Sequence, residues 1–244
     1  MSPRVTLAVA TRVLAQLRRD HRTLAMLLLL PCILEVLLWW IFEETPLVFD
    51  RIGPALLAIF PFFVMFLVTS ITTLRERSGG TLERLFTMPM GRLDFLAGYA
   101  LAFGAVAAVQ AAIAAGVAVT LLDLEIAGPV VLLGVVGVAD AVLGTALGLF
   151  VSAFARTEFQ AVQFLPAVVV PQILLCGLLV PRDDLPAVLD AVATVLPLTW
   201  AVDAMQKLAS TTATGDVWRD IGIVVAFALA ALGLGAATLR RRTD

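Results

Sequence analysis

The chain has 244 residues, 61% of them hydrophobic, with a mean hydropathy of +1.00 and a net charge of −2. Soluble domains carry roughly 45–50% apolar residues, so a soluble domain is excluded and a polytopic helical membrane protein is expected. Lys207, the single lysine, lies in AMQKLAS without the glycine-rich turn of a phosphate-binding loop; Cys32 and Cys176 lie in apolar runs and predict neither a disulfide framework nor a metal site.

Residues 5–17 come first. At 100° per residue, Arg4, Thr11, Arg12, Arg18 and Arg19 share one arc. Val5, Leu7, Val9, Val13, Leu14 and Leu17 share the other, with Thr6 as the exception. That is a basic amphipathic helix, suited to the cytoplasmic interface. The apolar run behind it is long and has no small-x-small cleavage pattern, so a cleaved signal peptide is not expected. Six spans follow, near 24–42, 53–74, 95–122, 129–154, 160–180 and 217–239, each close to the roughly 20 apolar residues a bilayer needs. Thirteen of the seventeen Lys and Arg fall in 1–23, 75–94, 155–159 and 240–244. Glu43, Glu44, Asp50, Asp123, Glu125, Asp183, Asp184 and Asp190 fall in the alternate segments. Positive charge marks the cytoplasmic side, which places both termini inside.

The first span holds Glu35 and the fourth holds Asp140. A mid-span charge costs on the order of 3 kcal/mol to insert, so each acid should face the bundle interior or be protonated. Two readings stand: a site for a proton or a cationic or polar substrate group, or satisfied structural acids. The second span is crowded with Phe60, Phe62, Phe63, Met65 and Phe66, and the fifth carries Gln163, Pro166, Pro171 and Gln172. Proline bends a helix and frees a carbonyl, and glutamine in lipid needs a partner. This pair of spans either lines a path for an amphipathic substrate, or presents phenylalanine to lipid and glutamine to neighbouring helices. Gly144-x-x-x-Gly148 and Ala107, Ala111 and Ala115 allow close helix approach, within the bundle or at a dimer seam.

Between the second and third spans lies LRERSGGTLERLFTMPMGRLD, residues 74–94. Gly79-Gly80 breaks the chain and Thr81 is a helix cap. Leu82, Leu85 and Phe86 then share one face, and Pro89 and Gly91 stop the helix. A short helix with an apolar face at the cytoplasmic surface either docks into a groove on a soluble partner or rests on the membrane. Residues 181–216 are too apolar for a plain loop. Asp184 is the expected cap of one half-length helix and Thr199 of a second, with Pro197 between them. Two such helices on the outer side predict a hairpin dipping into the outer leaflet.

RERSGGTLERLFTMPMGRLDFLAG, placed after a second span, resembles the cytoplasmic loop of ABC-2 type transporter permeases. LVPRDDLPAVLDAVATVLPLTWAVDAMQKL resembles that family's outer segment before its last span. The likeness covers essentially the whole chain and is strongest to short daunorubicin-type drug-export permeases. It implies one all-α transmembrane domain over 1–244, with six spans, an amphipathic connecting helix at 5–17, a coupling helix at 81–88 and the outer hairpin at 181–216. It implies that Thr81, Leu82, Glu83, Arg84, Leu85 and Phe86 engage a separate ATP-binding subunit, present in two copies. It implies a second permease copy or a homologous permease, with Phe60, Phe63, Phe66, Gln163 and Gln172 along the path between them. ATP and Mg belong to the partner ATPase, no cofactor is expected on this chain, and its other partners are membrane lipids and not nucleic acid. The family resembled often carries Arg or a similar residue late in the outer motif, where this chain has Gln206-Lys207.

The expected function is outward movement of a hydrophobic or amphipathic substrate (drug, antibiotic or lipid-like) driven by the partner's ATP hydrolysis. The excess of Arg over Lys, with abundant Ala and Val, hints at a GC-rich bacterial genome and hence a bacterial plasma membrane. The alternative is a proton-coupled carrier or channel using Glu35 and Asp140. An intramembrane enzyme is weakest, because no Ser–His, Cys–His or metal cluster is present.

Overall fold

The computed structural model describes residues 2–78, 91–155 and 157–238, with only the backbone of residues 77, 78 and 92. The segment 81–88, with Thr81, Leu82, Glu83, Arg84, Leu85 and Phe86, lies outside the described residues. Among the described residues every regular element is a helix. In order they are α1 (Pro3–Arg19), α2 (His21–Ile41), α3 (Pro46–Ser78), α4 (Arg92–Thr120), α5 (Val130–Ser152) and α6 (Glu158–Leu175), then a 3₁₀ turn (Arg182–Asp184), α7 (Ala187–Val195), α8 (Pro197–Ser210) and α9 (Gly215–Thr238). Six of them, α2 to α6 and α9, are long and apolar enough to cross a membrane.

Burial without water leaves small residues and van der Waals fit to hold such helices together. At the centre, α3 lies along α5. A Cβ on Gly144 would stand 2.5 Å from the Phe62 carbonyl oxygen, and one on Gly148 would stand 2.6 Å from that of Phe66. The small-residue motif therefore serves this α3–α5 seam. Ala107, Ala111 and Ala115 are buried along α4, with Ala111 against Gly137 of α5. A second cluster gathers Phe95, Tyr99 and Phe103 of α4 with Val9, Val13 and Leu17 of α1 and Leu27 of α2. The Gln110 side chain donates to the Leu27 carbonyl, tying α4 to α2.

Asp20 both ends α1 and starts α2. Its N–H donates to the Gln16 and Leu17 carbonyls, while its carboxylate accepts from the Thr23 hydroxyl at 2.6 Å and the Thr23 N–H at 3.1 Å. Those Thr23 bonds hold its pKa below the ordinary value.

Several boundaries differ from the sequence expectation. The first helix is longer, Pro3–Arg19. The second span begins at Pro46, because Pro46 is preset for a first helical turn and Asp50 and Arg51 continue it. The fifth span ends at Leu175, where Gly177 takes a φ of +93°. The last begins at Gly215. Asp184 does not cap α7: it belongs to the 3₁₀ turn, and Pro186 precedes the helix with no side-chain cap bond. Thr199 does not cap α8 either, since the helix already starts at Pro197.

Candidate coupling face and substrate path

The apolar arc of α1 does not lie free at an interface. Val9, Ala10, Val13 and Leu17 are buried, and a Cβ on Gly98 of α4 would stand 2.6 Å from the Val9 side chain. Only glycine lets the two helices come that close. Thr6, the exception on the apolar arc, is buried because it is hydrogen-bonded. Its hydroxyl donates to the Asp94 carboxylate at 3.2 Å, beside the Ser2 N–H at 2.7 Å. The other Asp94 oxygen accepts from the Gly91 N–H at 3.1 Å and closes the first turn of α4. On its polar side, Arg12 donates both ways to Glu76 of α3, at 2.8 and 2.9 Å, and Gln16 adds a third bond at 3.3 Å. Both Arg12 bonds come from Nη2, while Nη1 is buried and has no hydrogen-bond partner among the described residues, so the pair is a charge-assisted contact through one nitrogen. Helix α1 is thus fastened to the last turns of α3 and to the first turn of α4, on either side of the segment 79–90.

Along the expected path, Phe60 and Phe63 are half-buried, whereas Phe66 is fully buried and stacks on Phe62 at 6.5 Å. The Phe66 side chain therefore packs inside the core of the bundle. Gln163 is exposed on α6. Gln172 is buried, its amide N–H donating to the Val168 carbonyl at 2.9 Å and its oxygen accepting from the Leu198 N–H at 3.2 Å. Gln172 supplies the cap that Thr199 does not: a side chain from α6 satisfies an orphan amide at the start of α8. Glu35 and Asp140 are buried on α2 and α5, and among the described residues neither carboxylate has a hydrogen-bond partner.

Helices α7 and α8 meet at 96°. Arg182 holds that corner, donating to Asp190 at 2.8 and 3.1 Å and to Asp203 at 2.6 Å, with its guanidinium 5.6 Å from the Trp200 ring. Burial works against the Arg182 charge, but the two carboxylates outweigh it and hold its pKa above the ordinary value. Lys207 pairs with the buried Asp220 of α9. Asp94, Glu76 and Arg182 were not distinguished by sequence pattern. Only the oddly placed Thr6 signalled that α1 had a polar partner.

A family model described as "ABC-2 type transporter" matches residues 4–209. A probable multidrug ABC transporter permease, YbhR, of Escherichia coli is 27% identical over 169 residues, covering 69% of this chain and 46% of that protein. The linearmycin resistance permease protein LnrN of Bacillus subtilis is 28% identical over 171 residues, 69% of this chain and 44% of its own length. ABC transporter G family member 20 of Dictyostelium discoideum is 28% identical over 159 residues, 65% of this chain and 22% of its length. The matches thus span about half or less of each relative. With six helices fit to cross a bilayer and a family match over most of its length, this multi-pass membrane protein belongs to the ABC-2 type transporter family.

Proposed function

We propose that this chain is the permease subunit of an ATP-driven exporter. A separate ATPase subunit, two copies per assembly, hydrolyses ATP, and two permeases together form the path. The substrate is hydrophobic or amphipathic, in keeping with relatives named for multidrug transport and linearmycin resistance. The membrane is the bacterial plasma membrane, and both termini are cytoplasmic, as the Lys and Arg distribution requires.

The observation that carries this reading is the double fastening of α1. A helix at 81–88 docked on an ATPase would be pushed as the ATPase changes shape. Its two flanks, Glu76 and Asp94, are bound to one rigid element by Arg12, Gln16, Ser2 and Thr6. Displacement then reaches α3 and α4 as one body instead of being lost in a loose loop. Leu82, Leu85 and Phe86 supply the docking face, each burial contributing roughly 1.5–3 kcal/mol; Glu83 and Arg84 set register.

Replacing Leu85 and Phe86 with Asp tests the coupling. The permease should still insert, while the ATPase co-purifies poorly or hydrolyses ATP without export. Normal co-purification together with normal transport in one reconstituted sample would sink the reading.

A further inference from the structure

Helix α2 carries one open face from end to end. Arg22, Met26, Leu29, Ile33, Leu37 and Trp40 are exposed along it, while Leu27, Pro31 and Glu35 are buried against the bundle. Arg22 and Trp40 are five helical turns apart, so they stand at the same bearing, about 27 Å from one another along the axis. The hydrocarbon core of a bilayer is roughly 30 Å thick, and tryptophan marks the level where headgroups begin. With Trp40 at one headgroup level, Arg22 reaches the other. The face between them is apolar and meets acyl chains, and Arg22 stands where those chains end.

Arg22 has company. Arg18 and Arg19 close α1 just before the turn at Asp20, and both are exposed. At 3.8 Å per Cα step, the three arginines lie within about 15 Å of one another. The acids around this corner are already engaged. Asp20 accepts from Thr23 with both oxygens. Glu76 of α3 is held by Arg12 and Gln16, and Glu158 of α6 by Arg75 at 2.8 and 3.0 Å. Among the described residues no acid pairs with the side chain of Arg18, Arg19 or Arg22. The corner therefore presents three uncompensated positive charges at the level of the lipid phosphates. Guanidinium groups bind phosphate oxygens through charge-assisted hydrogen bonds, and basic residues clustered beside the end of a span attract anionic lipid. An acidic protein surface offers the same charge, but a soluble partner has no access to the lipid-facing side on which Arg22 stands.

We infer that the α1–α2 corner binds the headgroup of an anionic bilayer phospholipid, held by Arg18, Arg19 and Arg22 with its acyl chains along the open face of α2. The site stands apart from the coupling segment and from the path proposed between α3 and α6. The proposed topology enters only in assigning the lipid to the cytoplasmic leaflet.

The test uses the purified chain in phosphatidylcholine nanodiscs doped with phosphatidylglycerol that bears a diazirine close to its glycerol, or with phosphatidylcholine bearing the same group. Photolabelling by the phosphatidylglycerol probe should saturate and map to the first turns of α2. The phosphatidylcholine probe should label there weakly and without saturation. Arg22→Gln should weaken the saturable labelling about fivefold, the scale of one basic residue at an anionic membrane surface, and Arg22→Lys should retain it. Replacing Arg18, Arg19 and Arg22 together with Gln should bring it down to the phosphatidylcholine level. Arg4→Gln, at an exposed arginine near the other end of α1, should change nothing. Equal losses in Arg4→Gln and Arg22→Gln would show diffuse charge attraction and overturn the inference. Equal labelling by the two probes, the mark of ordinary surrounding lipid, would do the same. So would an α2 face that neither probe reaches in a chain that native mass spectrometry finds dimeric, since a second copy would then cover it. Unchanged labelling of the triple variant together with poor recovery of the ATPase would assign the corner to a protein surface instead. Should the triple variant fail to fold, Arg22→Gln decides alone. The labelling readouts need neither ATP nor transport, so this inference and the proposed export function fail separately.

Discussion

Gln163 and Gln172 lie nine residues apart on one helix and have opposite circumstances. Gln172 is buried and bridges the Val168 carbonyl to the Leu198 amide; Gln163 is exposed. Gln172→Leu leaves an amide at the start of α8 without a partner, which costs about 1–3 kcal/mol. Thermal unfolding in detergent should register the loss, and hydrogen exchange should rise at the α7–α8 corner. Gln163→Leu should leave stability unchanged and alter which substrates are exported, if α6 faces the path. A stability loss at Gln163 equal to that at Gln172 would place it in the packing instead.

At the scale of elements, glycine identity on α5 decides how closely α3 approaches. A Cβ at Gly144 would meet a backbone carbonyl at 2.5 Å, and backbone cannot swing aside as a side chain can. Gly144→Ala should therefore force α3 and α5 apart and destabilise the protein by about 1–3 kcal/mol. Gly134→Ala, on the same helix but facing open space, should gain up to about 0.5–1 kcal/mol through helix propensity. The same substitution on one helix with opposite signs, read in a denaturant titration, checks the seam directly. The α1 clamp belongs to this scale too. Glu76→Gln removes the charge that Arg12 and Gln16 share, and α1 amides should exchange faster while the six spans stay protected.

For the whole molecule, the two buried acids separate an ATP-driven exporter from a proton-coupled carrier. Glu35 and Asp140 are buried on different helices, and among the described residues neither has a hydrogen-bond partner that would pass a proton on. Exchanging both for their neutral isosteres, Glu35→Gln and Asp140→Asn, should leave ATP-driven export within about twofold of wild type, because a neutral amide is no dearer to bury than an acid. A carrier working through them would stop. Topology is checked at the same scale: reporters at Asp183 and Thr212 should read outside, and one after Arg242 should read cytoplasmic.

Composition and periodicity by themselves determined the membrane class, the six spans, the amphipathic first helix and the two half-length helices before the last span. These are local properties, since each depends on the polarity of neighbours three or four residues apart. Motif resemblance reached the family. What the tertiary structure alone decided is partnership across the fold. Gly144 and Gly148 face α3 within the chain, a choice that small-residue spacing leaves open. Thr6 finds Asp94, 88 residues away, and Arg12 finds Glu76, 64 residues away. The Leu198 amide is capped from another helix, not by the nearby Thr199. Phe66 is fully buried in the core while Phe60 and Phe63 stay half-buried, though all three read alike in sequence. Which face of an apolar helix meets protein and which meets lipid is not written in its polarity, because lipid and protein interior are equally apolar. Close packing between distant segments makes that decision, and only the assembled bundle displays it.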